Sequence, residues 1–341
     1  MKTTAAWHFS NPEQLIELVE IPVTENLPPD AVRLAVRATS LNYRDLINAR
    51  QLANRNFSGV IPLSDGAGEI IEVGSEVTDF AIGDRVAGCF FQTWLSGPFQ
   101  MAHHKAALGG SAPGMLAKEV VLPATGVVKI PDYLSFAEAA CLPCAALTAF
   151  NALFQNTEQQ ALTGQTVLLQ GTGGVSIFGL QMAVAAGAKT IITSSSDEKL
   201  NFARKFGAHH GINYQQTPDW GAEVLTITHQ SGVQHILEVG GPGTLEKSLQ
   251  AISTGGRISL IGVLTGFGAP TCSLFPLVSK NACLQGIYVG SREQFVRMNQ
   301  FLTQHQIRPV IDRTFNFQDA REALNYLASG QHVGKVVVHH E

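Results

Sequence analysis

Hydrophobic and polar positions follow two different periods along the chain. Up to about residue 125, short runs such as VRLAVRA (32–38), GEIIEVG (68–74) and GDRVAG (83–88) alternate apolar with polar residues, and glycine and proline lie between them. This alternation predicts short β-strands joined by turns. The period changes at Ser135-Phe-Ala-Glu138, which has the form of a capping box. An alanine-rich helix is predicted to follow it to about residue 154.

Further along, strand-like apolar runs alternate with helical patterns, one of which is predicted to end at Gly207. This alternation predicts an α/β fold with a doubly wound parallel sheet covered on both faces. A last strand is predicted in GKVVVHH (334–340). The six predicted strands of the parallel sheet are TVLLQ (166–170), TIITS (190–194), GINY (211–214), HILEV (235–239), RISLI (257–261) and LQGIYV (284–289).

Length and composition narrow the class of protein. A chain of 341 residues predicts about two domains. Its net charge of −4, with no long basic run, argues against nucleic-acid or anionic-membrane partners. No apolar stretch approaches the ~20 residues of a membrane span, and the first residues lack an apolar signal core. We therefore expect a soluble, cytoplasmic protein that acts on a small molecule.

The stretch VLLQGTGGVSIFGLQ (167–181) carries the clearest chemical signal. Its glycines follow a predicted strand and open a predicted helix, which is the setting of a dinucleotide-binding loop. Gly171 would permit the tight turn, Gly173 would let the backbone approach a pyrophosphate, and the helix from Gly174 would direct free N–H groups at it. Ser176 replaces the third glycine, where close helix–strand packing tolerates a small serine. The predicted contacts in this loop are Gly171, Thr172, Gly173, Gly174 and Val175.

The end of the next predicted strand indicates which dinucleotide is used. Sites for NAD place an acidic residue there, whereas this chain has Ser194, Ser195 and Ser196, followed by Lys199. Hydroxyl groups and a lysine suit a 2′-phosphate, and Tyr214 is a further candidate contact. We therefore predict NADPH, with a serine-rich helix cap and a solvated lysine as the alternative interpretation.

Five cysteines with wide spacing argue against a disulfide framework. Cys141 and Cys144 form one CxxC pair, and the second pair that a zinc ribbon requires is missing. A buried pair in a helix is the favoured interpretation, and a thioredoxin-like dithiol is the alternative.

The chain resembles the medium-chain dehydrogenase/reductase superfamily over essentially its full length. The resemblance lies in SLNYRDL (40–46), IPLSDGAGEIIEVG (61–74), GDRV (83–86), AACLPCAALTAFNAL (139–153), GTGGVSIFGLQMAVAAGA (171–188) and GKVVV (334–338). It implies a GroES-like β-rich catalytic domain over residues 1–124, completed by 291–341, and a Rossmann dinucleotide-binding domain over 125–290.

The same resemblance identifies the candidate active-site residues. Zinc alcohol dehydrogenases place a cysteine ligand at Asn42, a histidine ligand at Ser64 and a glutamate at Asp65, whereas Cys144 matches the third ligand position. The hydroxyl that relays protons in those enzymes falls at Arg44, and their four-cysteine zinc lobe is absent. The resemblance therefore implies no zinc and a catalytic group of Asn42, Tyr43, Ser64 and Asp65. It also implies cofactor contacts at Thr148, Gly240, Gly241, Ile261, Gly262 and Val263.

The most similar branch is the zinc-independent quinone and enone reductases. Without a Lewis acid an alkoxide is poorly stabilised, whereas a quinone or an α,β-unsaturated carbonyl carries its own electron sink. Asn42 would donate a hydrogen bond to the developing oxyanion, and Tyr43 or water would supply the proton. Phe57, Phe91 and Trp94 are candidate walls of the substrate pocket, with core packing as the alternative for the last two. Two other functions remain open: an alcohol or aldehyde dehydrogenase, and an NADPH-binding redox sensor without useful turnover.

The last strand of the parallel sheet also predicts assembly. An apolar edge strand such as LQGIYV invites pairing with another chain. We therefore expect a homodimer in which Ile287 and Val289 lie at or beside a two-fold strand pairing. An edge covered by the chain's own helix or C-terminal segment is the alternative.

Overall fold

The computed structural model describes residues 2–11, 13–50, 59–154 and 162–340. Its strands are β1 (Thr3–Phe9), β2 (Ile16–Pro22), β3 (Ala31–Ser40), β4 (Asp65–Val73), β5 (Arg85–Gly88), β6 (Glu119–Pro123), β7 (Val127–Lys129), β8 (Thr166–Gln170), β9 (Lys189–Ser194), β10 (His210–Asn213), β11 (Val233–Glu238), β12 (Ile252–Leu260), β13 (Cys283–Gly286), β14 (Ile311–Asn316) and β15 (Lys335–His339).

The α-helices are α1 (Tyr43–Arg50), α2 (Phe136–Ala139), α3 (Leu147–Phe154), α4 (Gly174–Ala185), α5 (Asp197–Lys205), α6 (Trp220–Ile227), α7 (Leu245–Ala251), α8 (Phe275–Ser279), α9 (Arg292–His305) and α10 (Ala320–Ala328). A π-helix covers Leu142–Ala146, and short 3₁₀ turns cover Met101–Ala106, Ala124–Gly126 and Phe317–Asp319.

The chain divides into a β-rich unit, residues 1–147 with 289–341, and a parallel-sheet unit, residues 148–288. The sequence places these boundaries at 124/125 and 290/291 instead. The first boundary falls later in the structure because Val127–Lys129 forms β7, which pairs with β5 of the β-rich unit. Residues 125–147 therefore belong to the β-rich unit.

The β-rich unit is built on a seven-stranded sheet in the order β14-β15-β3-β4-β5-β7, with β6 also pairing β3. The C-terminal strand β15 runs antiparallel to β3, with Val337 opposite Ser40. One side chain of β3 departs from the predicted alternation. Arg33 is buried and donates to Glu72 Oε2 at 2.7 Å and to the Thr24 carbonyl at 2.6 Å, which satisfies the charge away from water.

The parallel-sheet unit confirms the predicted fold class. Its six strands pair in parallel in the order β10-β9-β8-β11-β12-β13. The order reverses direction between β8 and β11, and ligands of such sheets bind outside the carboxyl ends of the strands at this point. The structure therefore places the end of β8, and the glycine loop after it, where a dinucleotide is expected.

The predicted alanine-rich helix begins as expected but is not continuous. Both hydrogen bonds of the capping box are present: Ser135 Oγ accepts from the Glu138 N–H at 3.2 Å, and Glu138 Oε2 accepts from the Ser135 N–H at 2.8 Å. The π-helix then separates α2 from α3. Pro143 lies at its start and has no N–H to continue the α-helical pattern. The prediction of one long helix is therefore wrong at the CxxC segment.

β13 is the edge strand of the parallel sheet, and Ile287 and Val289 follow its last residue, Gly286. The Ile287 N–H donates to the Leu260 carbonyl of β12 at 2.9 Å, and both apolar side chains are buried. Neighbouring strand residues direct their N–H groups to opposite sides, so those of Leu284 and Gly286 point away from β12. A two-fold pairing of this edge would therefore use the N–H groups of Leu284 and Gly286 and not that of Ile287, and the pairing itself stays a prediction.

Across the part of the chain that the structure describes, no helix is both long enough and apolar enough to cross a membrane.

Candidate active site

The glycine loop after β8 has the geometry that a pyrophosphate requires. Gly171 has φ +71°, a conformation that side-chain-bearing residues rarely adopt, and its N–H donates to Thr193 Oγ1 at 3.3 Å. Gly173 is the N-cap of α4. A Cβ atom on Gly171 or Gly173 would meet no atom within 4 Å. Open space therefore lies over both glycines, beside a 12-residue helix whose first N–H groups have no partner within the helix.

Ser176 fits the third glycine position, as expected. Its hydroxyl donates to the Gln170 carbonyl at 2.6 Å and ties α4 to the end of β8. Gly179 provides the close helix–strand packing instead, because a Cβ atom there would lie 2.7 Å from Leu169 Cδ2 and Leu237 Cδ2. Sequence reasoning missed Gly179, although SIFG places it one helical turn after Ser176.

The three serines after β9 have different positions. Ser194 is buried, Ser196 caps α5 by accepting from the Lys199 N–H at 3.5 Å, and Ser195 is exposed. Ser196 thus follows the alternative interpretation of this segment, a helix cap. Ser195 and the half-buried Lys199 are left as candidate 2′-phosphate contacts, together with Tyr214, which is exposed after β10.

The first acidic side chain after β9 accepts hydrogen bonds from two side-chain amides. Asp197 Oδ1 accepts from Asn213 Nδ2 at 2.8 Å, and Asp197 Oδ2 accepts from Gln216 Nε2 at 2.9 Å. These hydrogen bonds lower the pKa of Asp197, so it is ionised at neutral pH with both oxygens bound. Both carboxylate oxygens of Asp197 therefore already accept hydrogen bonds within the protein.

The loop after β11 is organised by a buried carboxylate that the sequence analysis missed. Glu238 Oε1 accepts from the N–H groups of Gly240 and Gly241, each at 2.9 Å, and Oε2 accepts from Gln170 Nε2 at 2.5 Å. These two glycine N–H groups therefore bind Glu238, so a contact of Gly240 or Gly241 with a cofactor would use other backbone atoms and stays a prediction. The available signal was an acidic residue at the end of a buried strand, in LEVGG.

The remaining predicted cofactor residues lie after β12, in the loop after β8, and in the first turns of α3 and α4. Gly262 lies so close to β11 that a Cβ atom would be 2.3 Å from the Val239 carbonyl oxygen. Ile261 and Val263 flank it and are half-buried, whereas Thr148 and Thr172 are buried. Gly174 and Val175 form the first turn of α4.

In the β-rich unit two of the candidate residues, Asn42 and Asp65, lie beside the ammonium group of Lys335. Its Nζ atom donates to the Leu41 carbonyl at 2.7 Å and to Asn42 Oδ1 at 2.6 Å, and it lies 3.7 Å from Asp65 Oδ2. The side chain of Lys335 is only 2% exposed. Sequence reasoning missed this lysine, although a lysine that opens a run of valines, as in GKVVV, is an unusual strand start.

The lysine also fixes the orientation of the Asn42 amide. An ammonium group only donates hydrogen bonds, so the Asn42 atom beside it must be the carbonyl oxygen. Asn42 Nδ2 is buried and has no hydrogen-bond partner within the described ranges. The residue precedes α1, where an asparagine oxygen ordinarily caps the helix. Asp45 Oδ2 instead accepts from the Asn42 N–H at 2.7 Å.

Ser64 and Asp65, at the start of β4, are fully buried. Asp65 Oδ1 accepts from Ser64 Oγ at 2.7 Å, and Asp65 Oδ2 accepts from the Cys144 N–H at 3.3 Å. Ser40 Oγ lies 3.5 Å from Asp65 Oδ2, but it donates its one proton to the Ala140 carbonyl at 2.9 Å. The side-chain oxygens of Ser64 and Asp65 therefore already take part in hydrogen bonds within the protein.

The π-helix explains how the backbone reaches Asp65. In a regular α-helix the Cys144 N–H would donate to the Ala140 carbonyl four residues earlier. Here that N–H bonds Asp65, and the Ala140 carbonyl accepts from Ser40. Burial raises the pKa of the Cys141 thiol to about 12 and raises that of Cys144 as well. Both thiols thus stay protonated, which argues against the dithiol alternative.

Arg44 and Asp45 form a second charged pair beside the first. Arg44 donates to the Leu108 carbonyl at 2.9 Å, and its guanidinium lies 4.5 Å from the centre of the Phe90 ring. It is 3.6 Å from Asp45 Oδ1, which is buried without a hydrogen-bond partner in the described part of the chain. Burial raises the pKa of Asp45 to about 6, against the opposing effect of Arg44.

The predicted aromatic pocket walls have other positions. Phe91 and Trp94 are buried and pack edge-to-face with each other at 6.0 Å between ring centres, and both contact Phe99. The ring of His103 stacks on Trp94. These rings form an aromatic core within the loop, as the alternative interpretation of core packing predicts. The expected place of Phe91 and Trp94 in a pocket wall is therefore not supported. Phe57 lies outside the described residues.

The donors at the zinc-ligand positions do not fit a zinc ion. The amide of Asn42 and the hydroxyl of Ser64 replace two ligands, and Ser64 Oγ already donates to Asp65. The neighbouring charge is an ammonium group, which repels a metal cation. No group of three or more His, Cys, Asp and Glu side chains suited to a metal occurs in the described ranges.

Comparisons with known proteins cover the whole chain. Residues 28–132 match the alcohol dehydrogenase GroES-like domain family, and residues 174–304 match the zinc-binding dehydrogenase family. A zinc-type alcohol dehydrogenase-like protein of Schizosaccharomyces pombe is 45% identical over 324 residues, which cover 94% of this chain and 93% of that protein.

Two solved structures extend these comparisons. A candidate alcohol dehydrogenase of Sinorhizobium meliloti 1021 is 39% identical, with a TM-score of 0.90 and 100% of both chains covered. A quinone oxidoreductase of Pseudomonas syringae pv. Tomato DC3000 is 25% identical, with a TM-score of 0.82, and the match covers 99% of this chain and 100% of that one.

Proposed function

Because this chain belongs to the medium-chain dehydrogenase/reductase superfamily and is an NAD(P)-dependent oxidoreductase, we propose that it uses NADPH to reduce a quinone or an α,β-unsaturated carbonyl without a catalytic zinc. The observation that carries the proposal is the Asn42 amide. Lys335 holds its oxygen, and its buried Nδ2 has no partner in the described part of the chain. Such a fixed donor is suited to stabilise an oxyanion.

The parallel-sheet unit supplies the groups that would hold the cofactor. The pyrophosphate would lie over Gly171 and Gly173, where a Cβ atom would project into open space, and against the N-terminus of α4. When bound, the dihydronicotinamide supplies a hydride. Ser195, Lys199 and Tyr214 would bind the 2′-phosphate. The preference for NADPH is also supported by Asp197, whose carboxylate is occupied by Asn213 and Gln216.

The β-rich unit supplies stabilisation of charge on the substrate. When an enone gains a hydride at its β-carbon, the electron pair of the double bond shifts and the carbonyl oxygen becomes an enolate oxyanion. Asn42 Nδ2 would donate a hydrogen bond to that oxygen. A proton then reaches the α-carbon. Its two available sources are water and the Tyr43 phenol, which belongs to an exposed side chain next to Asn42.

The choice of substrate follows from the charges around Asn42. Oxidation of an alcohol requires stabilisation of an alkoxide, which superfamily members with zinc obtain from the metal. The donors found here do not fit zinc, and Lys335 Nζ is already bound to Leu41 and Asn42. An enolate or a hydroquinone anion is a weaker base than an alkoxide, so one amide donor and a nearby ammonium suit it better.

Alcohol or aldehyde dehydrogenation is the second candidate. It is favoured by Cys144, which occupies a zinc-ligand position, and by the 45% identity to a zinc-type alcohol dehydrogenase-like protein. NADPH-binding without turnover is the third possibility, and the same experiment distinguishes all three.

The test is oxidation of NADPH by purified protein with a panel of quinones, enones, aldehydes and ketones, and reduction of NADP with alcohols. Zinc is measured by elemental analysis of the same sample. We expect turnover of enones or quinones that dipicolinate does not inhibit. Alcohol oxidation that requires about one zinc per chain would overturn the proposal, and so would NADPH binding without turnover of any substrate.

A further inference from the structure

The sheet of the β-rich unit places a cation directly beside the Asn42 amide. β15 runs antiparallel to β3 with Val337 opposite Ser40, so Lys335 lies opposite Asn42 just beyond the end of β3. The Leu41 N–H donates to the Val336 carbonyl at 3.0 Å and continues this register. The lysine is therefore held by backbone pairing as well as by its own hydrogen bonds.

The charge of Lys335 is only partly neutralised by its contacts. Two of its acceptors are neutral oxygens, and the nearest carboxylate oxygen, Asp65 Oδ2, is 3.7 Å away, which is longer than a hydrogen bond. Asp65 is also shared with Ser64 and with the Cys144 N–H. Burying an ammonium is costly in free energy, so a lysine kept here with partial compensation points to a use of its charge.

That use follows from the chemistry of an amide. A cation bonded to the carbonyl oxygen of an amide draws electron density from its nitrogen, so the N–H groups become better donors. Lys335 bonds Asn42 Oδ1 at 2.6 Å, and Asn42 Nδ2 is the donor without a partner in the described residues. The lysine thus fixes the direction of the donor and increases its strength.

Resting on the proposed function, we propose that Lys335 is a positioning residue that substitutes for the metal cation and acts through Asn42 on the oxyanion of the substrate. Lys335 itself does not touch the substrate. Asp65 lies 3.7 Å from the ammonium, and Ser64 donates a hydrogen bond to that carboxylate. This role is specific to the residues found here, because it requires a neutral amide at position 42 and a lysine at position 335.

The test is a double-mutant cycle of Lys335→Met and Asn42→Ala. Lys335→Met should lower kcat by about 10- to 100-fold, the range that follows from loss of a charge-assisted hydrogen bond, with little change in KM for NADPH. In the Asn42→Ala background, Lys335→Met should lower kcat by less than about threefold, because the group through which it acts is absent. Lys335→Arg should restore part of the activity.

Lys280→Met is the matched control in the parallel-sheet unit. Lys280 Nζ donates to the carbonyls of Leu249, Gln250 and Ile252 at 2.7–3.0 Å. The same substitution there removes a comparable set of bonds within the unit that does not contain Asn42. It should lower the urea midpoint and leave kcat within about twofold of wild type, because surplus folding stability does not enter kcat.

Equal losses of kcat from Lys335→Met in both backgrounds would overturn the inference and indicate a purely structural lysine. If Lys335→Met does not fold, the cycle is repeated with Asp65→Asn in all four proteins, which removes the unpaired carboxylate. All rates use an enone or quinone that the wild-type protein reduces. Absence of any such substrate would refute the proposed function instead, so the two failures are distinguishable.

Discussion

The sharpest perturbation of this site is Asn42→Asp, which changes one atom of the side chain from a donor to an acceptor. The new carboxylate keeps an oxygen for Lys335, where Asn42 Oδ1 accepts at 2.6 Å, and the backbone bond to Asp45 is unaffected. The fold should therefore persist, with a thermal midpoint close to that of the wild type. The donor that we assign to the substrate oxyanion is lost.

Loss of one preorganised oxyanion donor lowers kcat by about 10²–10³-fold, or about 2.7–4 kcal/mol of transition-state stabilisation. The assay is NADPH oxidation with a saturating enone at pH 8, where the introduced carboxylate, paired with Lys335, is ionised. KM for NADPH should stay near the wild-type value, because the cofactor contacts belong to other residues.

Asn299→Asp in α9 is the control for this substitution. Asn299 is also buried, and its Nδ2 donates to the Lys129 carbonyl at 3.0 Å, so a carboxylate there should cost stability without changing kcat. A loss of kcat smaller than tenfold in Asn42→Asp would refute the assignment of Asn42 Nδ2 as the donor to the substrate oxyanion. An equal loss in Asn299→Asp would show that the effect is not specific to the oxyanion donor.

Three further predictions concern the cofactor, pH and assembly. Lys199→Ala should weaken the binding of NADPH by about 10- to 100-fold and that of NADH little, since a charge-assisted contact contributes about 1.5–3 kcal/mol. Equal weakening of the binding of both cofactors in a fluorescence titration would contradict the 2′-phosphate contact. Burial raises the pKa of Asp45 to about 6, with Arg44, Asp65 and Lys335 as its charged neighbours. The folded protein therefore binds the Asp45 proton more tightly than the unfolded protein does. The contribution of Asp45 to the free energy of unfolding falls as pH rises from about 4 to 6. Urea denaturation of Asp45→Asn should show a weaker fall over this window, whereas an unchanged pH profile would show that another group causes it. We expect a homodimer through the exposed apolar side chains around α8, so Val278→Asp, at a residue 74% exposed, should give a monomer by light scattering; a wild-type monomer at micromolar concentration would contradict this.

The sequence predicts the parallel sheet well because buried parallel strands are continuous apolar runs. TVLLQ corresponds residue for residue to β8, and the glycine loop follows it as expected. RISLI covers only the second half of β12, which begins at Ile252, because STGG between them has the composition of a turn.

The active site is less predictable because its groups meet across distant parts of the chain. Asn42, Asp65 and Lys335 lie on three strands or strand ends, and no spacing rule connects residue 42 with residue 335. The π-helix is also hidden, since Pro143 permits several local geometries and the contact of Cys144 with Asp65 selects one. These features depend on tertiary contacts, which local propensity does not encode.

The central claim is that the hydride goes to the β-carbon of an activated double bond and not to a carbonyl carbon. The most direct measurement uses NADPH that carries deuterium at the transferable position, with an enone as substrate and NMR analysis of the product. We expect a saturated ketone with deuterium at the β-carbon. An allylic alcohol with deuterium on the former carbonyl carbon would contradict it.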